Sequence, residues 1–396
     1  MAEAARKTRK TRKTRKTRIR TRYGEGDFGV LITTLLLTVF GVIMVYSASY
    51  YTALSKYGDP GYYLKNNMMW MAIGWMVFLL FAFMDYHFWG RFALIAMIIA
   101  FVTLLLIFTP KSWGIAVTIN NATRWIRVIP GRDSITFMPG EITKVALILF
   151  IAWFYANDPK RIHKLIKGHA IVIGVSAAAF VLIYKQPNLS TAGIVLLLAV
   201  GMMLIAGLAW GWVIFAVGAG AAGFAGIVAI KGGYWLKRVT DFWDPFQDPL
   251  GSGYQVSQGL MALGSGGVLG VGLGKSMQKA LYLPEAMSDF ILPIIGEELG
   301  FVGVVALMAV YLILIWRGCV VAVNAKDLFG TLLAGGITLH IALQVILNIA
   351  VVSASFPPTG VVLPLISLGG TATVLFMAEL GMLYNISKQS NEKEQI

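Results

Sequence analysis

The feature that most constrains this chain is a series of apolar runs, each about 20 residues long, which is the length a helix needs to cross a hydrocarbon core of roughly 30 Å. So much apolar surface cannot be hidden in one water-soluble core. The runs therefore predict an all-α, polytopic membrane protein with about ten transmembrane helices. The predicted spans are centred near Phe40, Trp75, Ala100, Phe150, Ala178, Val200, Ala219, Val304, Leu339 and Leu375.

The composition agrees with this class, because 57% of the residues are hydrophobic and only 13% are charged. The single cysteine, Cys319, leaves no partner for an internal disulfide. One cysteine and four histidines also show no spacing typical of metal ligands. We therefore expect no metal site built from these residues.

Residues 1–26 form a basic tail before the first span, with eleven Lys or Arg between Arg6 and Arg22. Beside a membrane span, such a run indicates a cytoplasmic topology anchor rather than a nucleic-acid site. The apolar run that follows lacks a small-residue cleavage site, which indicates a retained span rather than a signal peptide. An even number of spans then puts the C-terminal tail, 388–396, in the cytoplasm as well.

The membrane domain is predicted to cover residues 27–387. Its longest polar interruption is a large extracellular loop, 231–290, between the seventh and eighth spans. Segments 109–139 and 353–360 are expected on the same outer side. Within the large loop, Gly274, Lys275 and Ser276 resemble the end of a phosphate-binding loop, but Leu269 stands where the leading glycine is required.

Glu141 and Lys144 lie three residues apart just after Pro139, where the fourth span is predicted to begin. This spacing puts both side chains on one helix face. Ionisable side chains at membrane depth are costly unless they pair or face a wet cavity. The two residues therefore indicate either a simple ion pair within the helix or part of a functional site.

Asp289 lies where the large loop re-enters the membrane. Partial loss of water there would raise its pKa and make it a better general base, but an N-cap role for the eighth span fits the pattern equally well. About two turns deeper, at least one of Glu297 and Glu298 should point into the bundle. The prolines and glycines of 356–371 predict an interruption of the tenth span.

The order and spacing of its motifs make the chain resemble the SEDS family of bacterial cell-wall proteins, whose members include FtsW, RodA and SpoVE. The resemblance covers nearly the whole chain after the basic tail, and that long tail favours the FtsW and SpoVE side. The motifs are Arg124-Trp125-Ile126, Pro139-x-Glu141-x-x-Lys144, Gln186-Pro187-x-Leu189-x-Thr191, Asp248-Pro249-Leu250-Gly251-Ser252-Gly253-Tyr254-Gln255, Gly272-x-Gly274-x-x-x-Gln278-Lys279, Leu283-Pro284-Glu285-x-x-x-Asp289-Phe290-Ile291, Glu297-Glu298-Leu299-Gly300 and Pro358-Thr359-Gly360-x-x-Leu363-Pro364.

The resemblance implies an inverting peptidoglycan glycosyltransferase that polymerises lipid II, an undecaprenyl diphosphate-linked disaccharide peptide, at the outer face of the bacterial cytoplasmic membrane. It implies a role in division, sporulation or cell shape, alongside a class B penicillin-binding protein and other divisome or elongasome membrane proteins, and no nucleic acid. It implies no fixed cofactor, and any divalent cation at the diphosphate would be loosely held. The residues it marks are Asp289 as the catalytic residue, and Arg124, Glu141, Lys144, Gln255 and Lys279 for substrate binding.

Two other functions stay open at this point. Buried ions and a broken tenth span are also typical of a lipid II flippase or transporter. Several positions differ from the usual family pattern, among them Asn188, Ser190 and Leu368. These differences keep open a third hypothesis, a non-catalytic scaffold that activates its penicillin-binding protein.

Overall fold

The computed structural model describes residues 26–110, 114–119, 122–127, 136–164, 168–209, 211, 218, 226, 244–248, 251 and 253–390. These residues form helices joined by turns and longer irregular segments, together with one small sheet. The helices are α1 Phe28–Tyr57, α2 Tyr62–Phe83, α3 Tyr86–Leu106, α4 Pro139–Asn157, α5 Ala170–Tyr184, α6 Leu189–Ile205, α7 Tyr254–Ser265, α8 Ile291–Val323, α9 Leu328–Val352 and α10 Gly370–Ser390. The strands are β1 Ala116–Ile119, β2 Ala122–Arg127 and β3 Thr136–Phe137.

The helical, polytopic architecture predicted from the apolar runs is confirmed. Helices α1, α2, α3, α4, α8 and α9 are each long and apolar enough to cross a membrane, and α5 and α6 are shorter apolar helices. Every predicted span centre falls within one of these helices or α10, except Ala219, which lies outside the described residues. Helix α7 lies within the predicted loop 231–290 and was not predicted.

The three strands form an antiparallel sheet in the order β1-β2-β3, within the segment 109–139. The sequence did not predict this sheet. Strand β2 packs against α4, and β3 packs against α10. The sheet therefore connects the predicted outer segment to helices α4 and α10.

Helix α4 lies at the centre of the bundle. In its most apolar 18-residue window, 78% of the residues are buried, against 28% for α2 and α3 and 22% for α8. It packs against α3, α6 and α9. Because the other helices cover its surface, polar side chains on α4 face protein rather than lipid.

Helix α8 is interrupted at Gly300, whose φ of 68° and ψ of −169° lie outside helical geometry. The backbone groups freed by the break bind the glycine-rich run 264–274. The Phe301 N–H donates to Gly267 O over 2.9 Å, and the Val271 N–H donates to Glu297 O over 3.0 Å. The run thus satisfies backbone groups of an apolar helix that the break at Gly300 would otherwise leave without partners.

Residues 353–369 precede α10 and are not helical, so the predicted interruption of the tenth span is confirmed. Part of this segment is buried, including Leu363 and Ile366. Its backbone is bound by a neighbouring helix, because the Tyr311 hydroxyl of α8 donates to Pro364 O over 2.5 Å. The buried part of this irregular backbone, residues 361–367, is therefore enclosed by protein, the arrangement that a membrane interior requires.

Candidate functional site

The first turn of α4 carries the predicted pair of charged residues. The helix begins with Pro139, whose fixed φ and missing N–H suit a first helical position. One turn on, Lys144 Nζ lies 2.8 Å from Glu141 Oε2. The Lys144 side chain is only 1% exposed. The structure thus confirms that the two residues form an ion pair, and it buries that pair beside the sheet.

Arg124 reaches the same region from β2. Its Nη2 donates to the carbonyl oxygen of Pro187, in the turn between α5 and α6. Strand β2 also packs against α4. The sheet, the turn at Pro187 and the start of α4 therefore lie together. A guanidinium and a buried ion pair are therefore brought to one end of the bundle.

Asp289 faces this group of charges from the loop before α8. It is half-buried, and the pKa of its carboxyl is raised to about 7, chiefly by the loss of water and also by Glu285 and Glu141, while Arg124 acts to lower it. No described residue donates a hydrogen bond to this carboxylate. The carboxyl group can therefore change its protonation state near neutral pH.

The alternative role of Asp289 as the N-cap of α8 is wrong. The residue at that position is Phe290, and no side chain caps the helix. Gly360, from the segment before α10, lies against the carboxylate instead, because a Cβ added there would be 3.0 Å from Asp289 Oδ2. A residue without a side chain thus leaves space on one side of the carboxylate.

Three consecutive backbone carbonyl groups before α8 accept hydrogen bonds from other parts of the chain and hold this backbone in place. The Leu368 N–H donates to Met287 O over 2.8 Å. The Ser367 hydroxyl donates to Ser288 O over 2.6 Å, and an amide on α9 donates to Asp289 O over 2.9 Å. The sequence signalled this contact only indirectly, through the proline and glycine residues that interrupt the tenth span.

Lys279 occupies a different place from these charges. Its Nζ lies 2.6 Å from Glu298 Oε1 and 2.9 Å from Ser47 Oγ, and all three side chains are buried. The charged groups that act on Asp289 do not include Lys279. The lysine nevertheless borders a cavity of about 470 Å³, which is also lined by Ile43, Tyr46, Ser47, Tyr50, Tyr51, Leu273 and Gly274.

Glu297 is also buried, which confirms that at least one glutamate of the pair points inward. Its Oε2 accepts a hydrogen bond from the Ser276 hydroxyl at 2.5 Å, and its Oε1 accepts one from the Met277 N–H at 2.9 Å. Ser276, the last residue of the apparent phosphate-binding sequence, is thus bound to a carboxylate. Gln255 lies half-buried on α7.

Metal ligands were not expected from the sequence. Across the part of the chain that the structure describes, no group of three or more His, Cys, Asp or Glu side chains is arranged to hold a metal ion.

Comparison with known proteins identifies the family. A family model described as "Cell cycle protein", for FtsW, RodA and SpoVE, matches residues 28–392. Stage V sporulation protein E of Bacillus subtilis is 37% identical over 370 residues, which cover 93% of this chain and 99% of that protein. The "Probable peptidoglycan glycosyltransferase FtsW" of a Geobacter species is 37% identical over 366 residues, covering 91% of this chain and 96% of that protein.

Solved structures share the fold. A chain from "Structural coordination of polymerization and crosslinking by a peptidoglycan synthase complex" superposes with a TM-score of 0.75 at 22% identity, covering 94% of this chain and 99% of that one. The rod shape determining protein RodA of Thermus thermophilus gives a TM-score of 0.62 at 22% identity, covering 91% and 96%. This chain is a multi-pass membrane protein that belongs to the FtsW, RodA and SpoVE family of cell cycle proteins.

Proposed function

We propose that this protein is a peptidoglycan glycosyltransferase that polymerises lipid II at the outer face of the bacterial cytoplasmic membrane. The observation that carries the proposal is the Asp289 carboxyl group. Its pKa is raised to about 7, no described residue donates a hydrogen bond to it, and Arg124 and Glu141 act on it from two other elements. A carboxylate in this state is suited to general base catalysis near neutral pH.

In the proposed reaction, Asp289 takes the proton from the 4-hydroxyl of the acceptor N-acetylglucosamine. The hydroxyl oxygen attacks the anomeric carbon of the donor N-acetylmuramic acid from the side opposite the leaving group. A new C–O bond forms while the bond to undecaprenyl diphosphate breaks, and the diphosphate leaves with the electron pair. The configuration at the anomeric carbon is therefore inverted.

A general base typically contributes about 10²- to 10⁴-fold, so stabilisation of the departing diphosphate must supply much of the remaining acceleration. We propose Arg124 and Lys144 as the cations for this task. Arg124 is the better placed of the two, since it acts electrostatically on Asp289 and carries a planar fork of donors. The positive charge of Lys144 is already paired with the carboxylate of Glu141. We assign to this ion pair the task of shaping the substrate cavity. Any divalent cation would enter the site together with the substrate, loosely bound to its diphosphate.

Gln255 and Lys279 are proposed as further substrate contacts. The cavity that Lys279 borders supports this role for the lysine, because the tyrosine rings that line the cavity can stack against sugar faces. For the partner, the likeness to a chain of a peptidoglycan synthase complex supports a class B penicillin-binding protein. The basic N-terminal tail supports cytoplasmic termini, and with the ten predicted spans Asp289 would then lie on the outer side.

The test is to purify the protein with its penicillin-binding protein and supply lipid II in detergent. Glycan strands that form from lipid II support the enzyme. Labelled lipid II that crosses a vesicle bilayer while no polymer forms would support the flippase and overturn the proposal. Stimulation of the penicillin-binding protein by a chain that never makes polymer would support the scaffold.

A further inference from the structure

Asn348 on α9 connects the loop that carries Asp289 to the irregular segment before α10. Its Nδ2 donates to Asp289 O over 2.9 Å and to Val361 O over 2.7 Å. The side chain is buried. One amide group therefore uses both of its N–H bonds to hold two separate stretches of backbone together, and no sequence motif had marked this residue.

The orientation of this amide follows from its surroundings. Its Oδ1 is buried and accepts no hydrogen bond from the described residues. Rotating the amide by half a turn would bring Oδ1 against two carbonyl oxygens and leave Nδ2 without either acceptor. The orientation with two donated hydrogen bonds is therefore the favoured one, although it leaves a buried acceptor without a donor.

The position of the Asp289 carboxylate depends on its backbone. No described residue donates a hydrogen bond to the carboxylate, so side-chain contacts of that kind do not hold it in place. Its main chain is fixed by the contacts at residues 287–289, and Asn348 provides the one at Asp289 itself.

We propose that Asn348 is a positioning residue that fixes the backbone of Asp289 and thereby aims its carboxylate at the acceptor hydroxyl. The proposal rests on the proposed function, in which Asp289 is the general base. A reacting group misplaced by about 1 Å can cost about 10²-fold in rate. Loss of the two N–H donors should therefore lower kcat while substrate binding, and with it KM, changes little.

The chain offers a matched control one turn away on α9. Gln344 is equally buried, and its Nε2 lies 3.3 Å from His340 Nε2. Its Oε1, like Asn348 Oδ1, accepts no hydrogen bond from the described residues. None of its hydrogen bonds reaches residues 287–289. Replacing it removes a comparable amide from the same helix without touching the Asp289 backbone.

The experiment measures initial rates of lipid II polymerisation by the full chain with its partner, for wild type, Asn348→Leu and Gln344→Leu. We expect kcat to fall about 10- to 100-fold in Asn348→Leu at unchanged KM. Gln344→Leu should lose similar thermal stability but keep its kcat. Wild-type kcat in Asn348→Leu, or an equal loss of kcat in Gln344→Leu, would overturn the proposal.

If Asn348→Leu does not fold, Asn348→Ser takes its place, because it keeps one hydroxyl donor and should give an intermediate kcat. A wild-type kcat in Asn348→Ser would also overturn the proposal. The proposed function fails separately, if wild-type protein makes no polymer or Asp289→Asn makes as much as wild type. Polymer that is lost in Asp289→Asn but made at the full rate in Asn348→Leu contradicts the positioning role alone.

Discussion

Lys144 Nζ lies 2.8 Å from Glu141 Oε2 within the first two turns of α4, and the lysine is almost fully buried. Exchanging the two residues, as Glu141→Lys with Lys144→Glu, keeps an ion pair at the same spacing but moves the cation by about one helical turn. We expect the exchanged protein to keep its melting temperature within a few degrees and to lose most of its polymerisation rate. A fully active exchanged protein would show that the pair is only structural.

A variant that removes only one residue of the ion pair serves as a comparison for the exchanged protein. Lys144→Met leaves the Glu141 carboxylate buried without its partner, which typically costs about 3–5 kcal/mol. Its melting temperature should therefore fall well below that of the exchanged protein.

Activity should depend on the ionisation of Asp289. Because only the ionised carboxylate accepts a proton, we expect kcat/KM to rise with pH around a midpoint near 7. Arg124 lowers this pKa, so Arg124→Gln should move the midpoint to higher pH. Glu285 raises the pKa, so Glu285→Gln should move the midpoint to lower pH. Shifts in the same direction for both variants would contradict the electrostatic description of the site.

The Asp289 carboxyl group should also make the stability of the folded protein depend on pH. The pKa of Asp289 in the folded protein is above its ordinary value of 3.8, so its stabilising contribution is present at low pH and is lost as pH rises towards about 7. Asp289→Asn should therefore raise the melting temperature more at about pH 8 than at about pH 5. The opposite order would show that the carboxylate is stabilised in its ionised form.

Two roles of Lys279 can be separated by stability and kinetics. Lys279→Met leaves Glu298 buried without a cation and should cost about 3–5 kcal/mol. Adding Glu298→Leu should recover most of that loss, since an apolar pair can replace a buried ion pair. If Lys279 also binds lipid II, KM stays raised in the stable double variant. Wild-type KM in that double variant would remove Lys279 from the substrate site.

The break in α8 needs glycine at position 300. A Cβ there would lie 2.3 Å from Gly270 N, and φ is 68°. Gly300→Ala should therefore lower stability by about 2 kcal/mol or more, by strain and by displacing the glycine-rich run. Gly193 on α6 is a control, since a Cβ there meets nothing within 4 Å. Equal melting temperatures for the two alanine variants would contradict this account of the break.

Sequence patterns predicted the membrane helices because the length and apolar character of a span are local properties. They also predicted the Glu141 and Lys144 pair, since their spacing lies within one helix. The sheet that carries Arg124 depends on pairing between short strands, and residues 116–137 show no clear alternation of apolar and polar residues that would predict them. The contact from Asn348 to Asp289 joins residues 59 apart in sequence, and an asparagine within an apolar helix does not reveal which carbonyl groups it will meet.

The central claim is that Asp289 removes the proton from the acceptor hydroxyl, and the most direct test is polymerisation of lipid II by purified Asp289→Asn with its penicillin-binding protein. Asparagine keeps the size of the side chain but cannot take up the proton. We predict that no glycan strands form, while expression and complex formation are retained and the melting temperature at neutral pH is not lowered. Glycan strands made at the wild-type rate by this variant would contradict the claim.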